Sequence, residues 1–405
     1  MLILTIKKLY INWYRRYFRP RWKMYKIIKK TIFFILICGF TVKFLMVPTE
    51  KHHRDVASHN LTYHYELVRR ARQRAGCRQP DSAEGYVVCD RLPYTDISCG
   101  GCKKGCPVAD PSGKHYLVPD IVHFIWFGPK FNVSQYYQYL ALRSVASIQR
   151  PSVIKIHYNS DVFEGGKIWG RIRREIPCIE MVKMRAPDDV FEKQIDKDLF
   201  KSDVARLQIL KEQGGIYLDF DVITLKSLDP IRIHQSAVGR SKSDKASNGI
   251  IFSEQDSTFI NVWINMYKSY DPVKRRSLAF WGLVVPYSIY LENKETNIVH
   301  MDEILFNRPN PYLDGLDSTT SAHFSVEDNY FLHIHPKAIL ETEYDIKLDD
   351  WDDERLRTFD SVYGQAARIA LFGSPDLVYR EGEFYRKPYP KRKAKPLAKD
   401  NPLGR

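Results

Sequence analysis

Between Phe200 and Asp221 (FKSDVARLQILKEQGGIYLDFD) a helix, a stop and a strand follow one another within 22 residues, an order few folds accommodate. Phe200, Val204, Leu207 and Leu210 recur at helical spacing, which gives the segment 200–213 one apolar face. Ser202 is the expected N-cap, and Gly214 the residue expected to end the helix with a positive φ. Asp203 and Arg206, three apart, then project together from the first turn. Ile216–Leu218 reads as a strand that delivers Asp219 and Asp221 to its C-terminal end, the edge of an open α/β sheet where ligands bind. Two carboxylates flanking one residue are hard oxygen ligands of the kind Mn2+ or Mg2+ takes, and such an ion can hold a diphosphate. An Asp-x-Asp pair alone carries little, since Asp196/Asp198 and Asp350/Asp352 repeat it. The specific signal is the order Ser-Asp-x-x-Arg, helix, Gly-Gly, strand, Asp-x-Asp.

The flanking sequence extends the same alternation. Ile121–Phe127 is a compact apolar run closed by Gly128-Pro129, Gln135–Gln149 has helical spacing, and Val153–Tyr158 and Ile179–Met184 read as strands. Short strands separated by helices of 10–15 residues predict an α/β domain with a largely parallel sheet over 116–383. The acidic run Asp349–Glu354 reads as a solvated turn.

The charge of the chain divides by position. There are 62 Lys+Arg against 48 Asp+Glu, a net of +14 over 405 residues. Residues 1–30 hold ten of the cations and no acid, and residues 384–405 hold eight against Asp400 alone. The middle, 31–383, is left with 44 basic and 47 acidic residues, which argues against nucleic acid as a partner. Residues 384–405, with clustered lysines and prolines, read as a disordered tail. Thr31–Val47 is a 17-residue apolar run interrupted only by Lys43, long enough for about 25 Å of helix. The basic leader before it predicts a single-pass signal-anchor with residues 1–30 cytoplasmic and everything after 47 translocated. Sequons at Asn60 and Asn132 agree with that topology.

Outside the apolar run, six cysteines remain: Cys77, Cys89, Cys99, Cys102, Cys106 and Cys178. Five fall within 30 residues of the segment 48–115, which reads as a lumenal stem stapled by disulfides, with the pairing open. Cys99-x2-Cys102-x3-Cys106 has a spacing that zinc accepts, but no matched second pair accompanies it.

Residues 201–223 resemble the sugar-binding region of glycosyltransferase family 32. Pro119–Gly128 (PDIVHFIWFG), with its His123-x-x-Trp126 pair, resembles the opening strand of that family. Asn248-Gly249-Ile250 resembles the loop after its metal motif, and Phe331-Leu-His333-Ile its late strand. The resemblance implies a GT-A nucleotide-diphospho-sugar transferase fold, a UDP- or GDP-sugar donor, Mn2+ or Mg2+, a glycan or glycolipid acceptor and retention of anomeric configuration. It also implies that Trp126 stacks on the nucleobase, that Asp203 and Arg206 contact the donor's sugar and ribose, and that Asn248 and Gly249 lie near the transferred sugar. Asp219 and Asp221 would hold metal and diphosphate as the catalytic pair, with His333 approaching the metal from the other side. His335 stands where family members often carry Trp, and Leu283-Val-Val-Pro286 where they carry Gly-Pro, leaving open which histidine completes the metal shell. The function expected is therefore that of a Golgi type II membrane glycosyltransferase. The alternative is a relative that binds nucleotide sugar or glycan without turnover.

Overall fold

The computed structural model describes residues 64–80, 85–97, 113, 115–195, 197–241, 245–271, 280–302, 326, 328–334 and 351–383. The basic leader, the apolar run 31–47, Asn60, the cysteines at 99, 102 and 106, His335, Asp349, Asp350 and the tail 384–405 lie outside the described residues. Among the described residues no helix is long and apolar enough to cross a membrane.

A seven-stranded mixed sheet organises the chain. Its strands are β2 (Ile121–Trp126), β3 (Val153–Tyr158), β4 (Ile179–Lys183), β7 (Gly215–Leu218), β9 (Ser236–Ser241), β10 (Lys245–Ser253) and β11 (His300–Asp302), in the order β11-β9-β10-β7-β2-β3-β4. The short pieces β1 (Tyr86–Cys89), the hairpin β5 (Asp189–Val190) and β6 (Lys193–Gln194), β8 (Val222–Thr224), β12 (Phe331–His333) and β13 (Leu377–Arg380) pair outside it. Strands β7, β2, β3 and β4 run parallel, as expected. Strand β10 lies antiparallel to both β7 and β9.

Strand β2 (IVHFIW) is buried along four consecutive residues, as a strand covered on both faces must be. One face carries Val122, Phe124, Ile154, Ile156, Ile216 and Leu218 into a core shared with helices α1 (Tyr136–Ser144) and α7 (Val362–Phe372). The other carries Ile125, Tyr217 and Ile251 against α3 (Asp198–Gln213) and α4 (Thr258–Met266). Further helices are α2 (Gly166–Glu175), α5 (Val285–Glu292) and α6 (Asp353–Arg357), and residues 64–74 are helical as well.

Two expectations are corrected. Helix α3 begins at Asp198 after Lys197, so Ser202 is not its N-cap. An acid in the first turn suits the helix dipole, and Ser202 Oγ instead donates back to the Asp198 carbonyl at 3.0 Å. Asp203 therefore projects from the second turn and Arg206 from the third. The acidic run is also not simply solvated. The Asp352 side chain caps α6 through the Arg355 N–H (2.8 Å), and Asp353 accepts from the Tyr94 and Tyr136 hydroxyls and from both Arg171 Nη atoms (2.9 and 2.8 Å).

Residues 64–97 are built into the same body. Strand β1 pairs parallel with β13, Tyr86 opposite Leu377 through Cys89 opposite Arg380. Cys77 and Cys89 form a disulfide, one of the pairings the sequence left open, and Cys178 is also disulfide-bonded. The Thr95 N–H donates to the Leu371 carbonyl (3.1 Å), while Arg143 from α1 donates to the Thr95 carbonyl (2.9 Å).

Candidate functional site

The site forms where β7 ends. Helix α3 runs down to Gly214 (φ +63°) and Gly215 (φ +101°), and the chain turns back into β7. A Cβ on Gly215 would lie 2.7 Å from the Ile121 carbonyl oxygen and 2.9 Å from His123 Nε2. Only a residue without a side chain lets β7 start this close to β2, a constraint separate from its positive φ.

Asp219, Phe220 and Asp221 make a tight turn in which the Val222 N–H donates to the Asp219 carbonyl (3.1 Å). The Asp219 N–H in turn donates to the Gly249 carbonyl of β10 (2.9 Å). Strand β8 then pairs antiparallel with β12, placing Val222 opposite His333. The Ile334 N–H donates to the Asp221 carbonyl, and His333 Nε2 stands 3.0 Å from Asp221 Oδ1. Ligand atoms of Asp219, Asp221 and His333 all fall within 4.8 Å of one another, the one such group of three among the described residues.

Gly249 completes this cradle. A Cβ there would sit 2.6 Å from Asp219 Oδ2 and 2.7 Å from His333 Cε1, so a side chain at 249 would intrude between two of the ligating groups. Two carboxylates and an imidazole around a space kept clear in this way suit Mn2+ or Mg2+.

A buried arginine braces Asp203 and Asp219 from behind. Arg206 is almost fully buried, with Nη2 3.1 Å from Asp203 Oδ1 and Nη1 3.5 Å from Asp219 Oδ1. Its Nη1 also donates to the Asn248 carbonyl, and its guanidinium lies 4.4 Å over the Tyr217 ring. Asn248 Nδ2 donates to Asp203 Oδ1 (2.9 Å). Burial pushes the Asp203 carboxyl up to about 6, opposed by the Arg206 charge and reinforced by Asp219. Burial works against the Arg206 cation, but Tyr217, Asp219 and Asp203 around it hold its pKa above the ordinary value.

Asp203, Arg206, Asp219, Asp221, Asn248, Gly249 and His333 are thus brought together. Trp126 stands to one side at the end of β2. Its indole N–H donates to the Lys130 carbonyl (2.8 Å), and its ring meets Phe220, the residue between the aspartates, edge-on at 5.7 Å. Beyond it an open recess at the ends of β3 and β4 is lined by Asn159, Lys183, Arg185, Asp188 and Lys201.

Two residues of the site escaped the sequence reading. The Tyr217 hydroxyl donates to Asp219 Oδ1 at 2.6 Å. Its position two before Asp219 on a strand, hence on the same face, was the available signal. Gly282, in the turn Phe280–Val284, lies against Asn248, and no local pattern marks it.

Residues 148–238 match the family described as the glycosyltransferase sugar-binding region containing the DXD motif. Glucan organizing enzyme 1 of Cryptococcus neoformans var. grubii is 30% identical over 245 residues, covering 55% of this chain. The matched region spans 64% of that relative's length. Among solved structures, mouse xyloside xylosyltransferase 1 aligns with a TM-score of 0.36 and 11% identity, over 53% of this chain and 97% of that one. The PaToxG glycosyltransferase aligns with a TM-score of 0.34 and 15% identity, over 60% and 81%. In residues 148–238 and along the stretch matched by the Cryptococcus relative, the chain is similar to glycosyltransferases whose sugar-binding region contains the DXD motif.

Proposed function

We propose that this chain is a GT-A glycosyltransferase that moves a sugar from a UDP- or GDP-sugar to a glycan or glycolipid acceptor, with a divalent metal and with retention. The observation that carries the reading is the convergence of Asp219, Asp221 and His333 beside the buried Asp203–Arg206 pair at the C-terminal end of β7. When bound by those three side chains, Mn2+ or Mg2+ supplies positive charge against the diphosphate that leaves as the anomeric bond breaks. The protein's own part is placement. Arg206 brings a fixed cation to the same edge, and Asn248 and Gly249 border the space for the transferred sugar. Trp126 and Phe220 offer aromatic surface for the nucleobase. An acceptor hydroxyl held on the face of the sugar from which the diphosphate departs gives retention without a covalent intermediate.

In the same reading, residues 31–47 anchor the chain in the Golgi membrane as a single-pass type II protein with the described body lumenal. The test of activity is a screen of UDP- and GDP-sugars with the full chain in detergent and Mn2+. Turnover is expected with at least one donor, lost with chelator and lost in Asp221→Asn. Tight donor binding without turnover in the wild type would instead favour a non-catalytic binding protein. The topology is tested at Asn60. Loss of a glycan-dependent mobility shift in Asn60→Gln supports a lumenal body, and an unglycosylated Asn60 opposes it.

A further inference from the structure

The turn Phe280–Val284 is pinned by its second residue. Trp281 is buried, its ring packs on Tyr267 (5.1 Å between centroids) and Tyr270 (5.7 Å), and its carbonyl accepts from the indole N–H of Trp263 at 3.0 Å. With both the ring and the carbonyl of Trp281 held, the next residue has little freedom of position. That residue is Gly282, and a Cβ built on it would fall 2.3 Å from Asn248 Nδ2 and 3.0 Å from Asn248 Cγ. A contact of 2.3 Å is far inside any non-bonded carbon–nitrogen separation, so a side chain at 282 must displace either the turn or the Asn248 amide. The turn is anchored in an aromatic core that resists movement. The amide rotates about χ2, a broad and soft torsion, and is what gives way.

Asn248 is not a neutral neighbour. Its Nδ2 donates to Asp203 Oδ1 while Arg206 holds the same oxygen from the other side at 3.1 Å. The ionised carboxylate only accepts, so the amide nitrogen, not the oxygen, must face it. An amide forced off this bond leaves a buried carboxylate short of one donor.

We propose that Gly282 is a positioning residue of the donor site: its missing side chain lets the Trp281-anchored turn close on Asn248 and hold that amide against Asp203. The inference rests on the assignment of Asp203 and Asn248 to the sugar end of a nucleotide-sugar site. It concerns a residue that is itself neither a metal ligand nor part of the Asp-x-Asp turn.

The test is a double-mutant cycle in the full chain, with Gly282→Ala, Asn248→Ala and the pair. Thermal unfolding without ligand reads the contact itself. Gly282→Ala lowers the midpoint in the wild-type background and has little effect when Asn248 is already Ala, because the atoms it strikes are gone. Steady-state kinetics, with whichever of UDP-glucose, UDP-galactose, UDP-N-acetylglucosamine and GDP-mannose is turned over, read the role. Gly282→Ala raises the donor KM about tenfold, the cost of one hydrogen bond to a charged group, and the pair resembles Asn248→Ala alone. Effects of the two substitutions on KM that simply multiply would overturn the proposal, as would a KM unchanged in Gly282→Ala. A wild-type chain that turns over none of the UDP- and GDP-sugars screened sinks the proposed enzymatic function and the donor role of Gly282 with it. The unfolding cycle would still separate that outcome from an absent contact.

Discussion

Tyr217 supports two members of the site from one position, its hydroxyl holding Asp219 Oδ1 and its ring lying beneath the Arg206 guanidinium. Tyr217→Phe keeps the ring and removes the hydrogen bond, so Mn2+ affinity, followed by the EPR signal of the free ion, should fall about tenfold. An unchanged affinity would mean that the backbone alone orients Asp219. On the same sheet face, His123 Nδ1 meets His157 Nε2 at 3.0 Å, and His123 Nε2 meets the Gly214 carbonyl at 3.0 Å. Burial, with the His157 charge adding to it, pushes His123 down to about 3, and burial with Lys155 nearby takes His157 to about 4. Unfolded, both take up a proton near pH 6.5, so between there and the folded values the unfolded chain binds more protons. Stability is then full above pH 6.5 and falls as the pH is lowered, by up to about 1.4 kcal/mol per pH unit for each histidine. Denaturation curves from pH 7.5 to 5 should show this slope, flattened in His157→Gln; equal slopes would place the acid sensitivity elsewhere. At this scale the aspartates, Asp203 and Arg206 were legible because they sit within one continuous motif. His333 came only through resemblance, since its contact with Asp221 spans more than a hundred residues.

Elements were legible where period and punctuation agreed. Strands β2, β3, β4 and β7 and helix α3 lie within two residues of their expected limits, because apolar runs and Gly-Gly or Gly-Pro breaks fix them locally. Helix α1 stops at Ser144 and continues as a π turn to Gln149, a change of winding that side-chain spacing does not encode. Ser202 misled because Asp198, a turn earlier, serves the helix dipole as well. Gly215 gives the sharpest test of how α3 and β7 are joined. Gly215→Ala adds a Cβ 2.7 Å from a β2 carbonyl at a φ that L-residues avoid, and should cost roughly 2–4 kcal/mol in urea denaturation. A loss below about 1 kcal/mol would show that the strand start can shift.

Across the molecule, the division of charge between the ends and the middle was plain in the sequence. The joining of residues 64–97 to the C-terminal helices was not. Tyr94, Tyr136 and Arg171 meet on Asp353 from three separate stretches of chain, and such contacts leave no local pattern. A chain begun at residue 116 would lose β1, the Cys77–Cys89 bridge and the Thr95 contacts of Arg143 and Leu371. It should aggregate or lack near-ultraviolet circular dichroism, whereas a chain begun at 48 unfolds cooperatively. Matching melting curves for the two would contradict this dependence.

The parallel pairing of β1 with β13 also sets a clock. The paired strands stand about 290 residues apart, and at roughly 5–20 residues per second the ribosome needs about 15–60 s to make the second after the first. For that interval β1 has an open edge in a half-made protein, longer than most domains take to fold. Slowed elongation lengthens that interval and should lower the yield of folded chain.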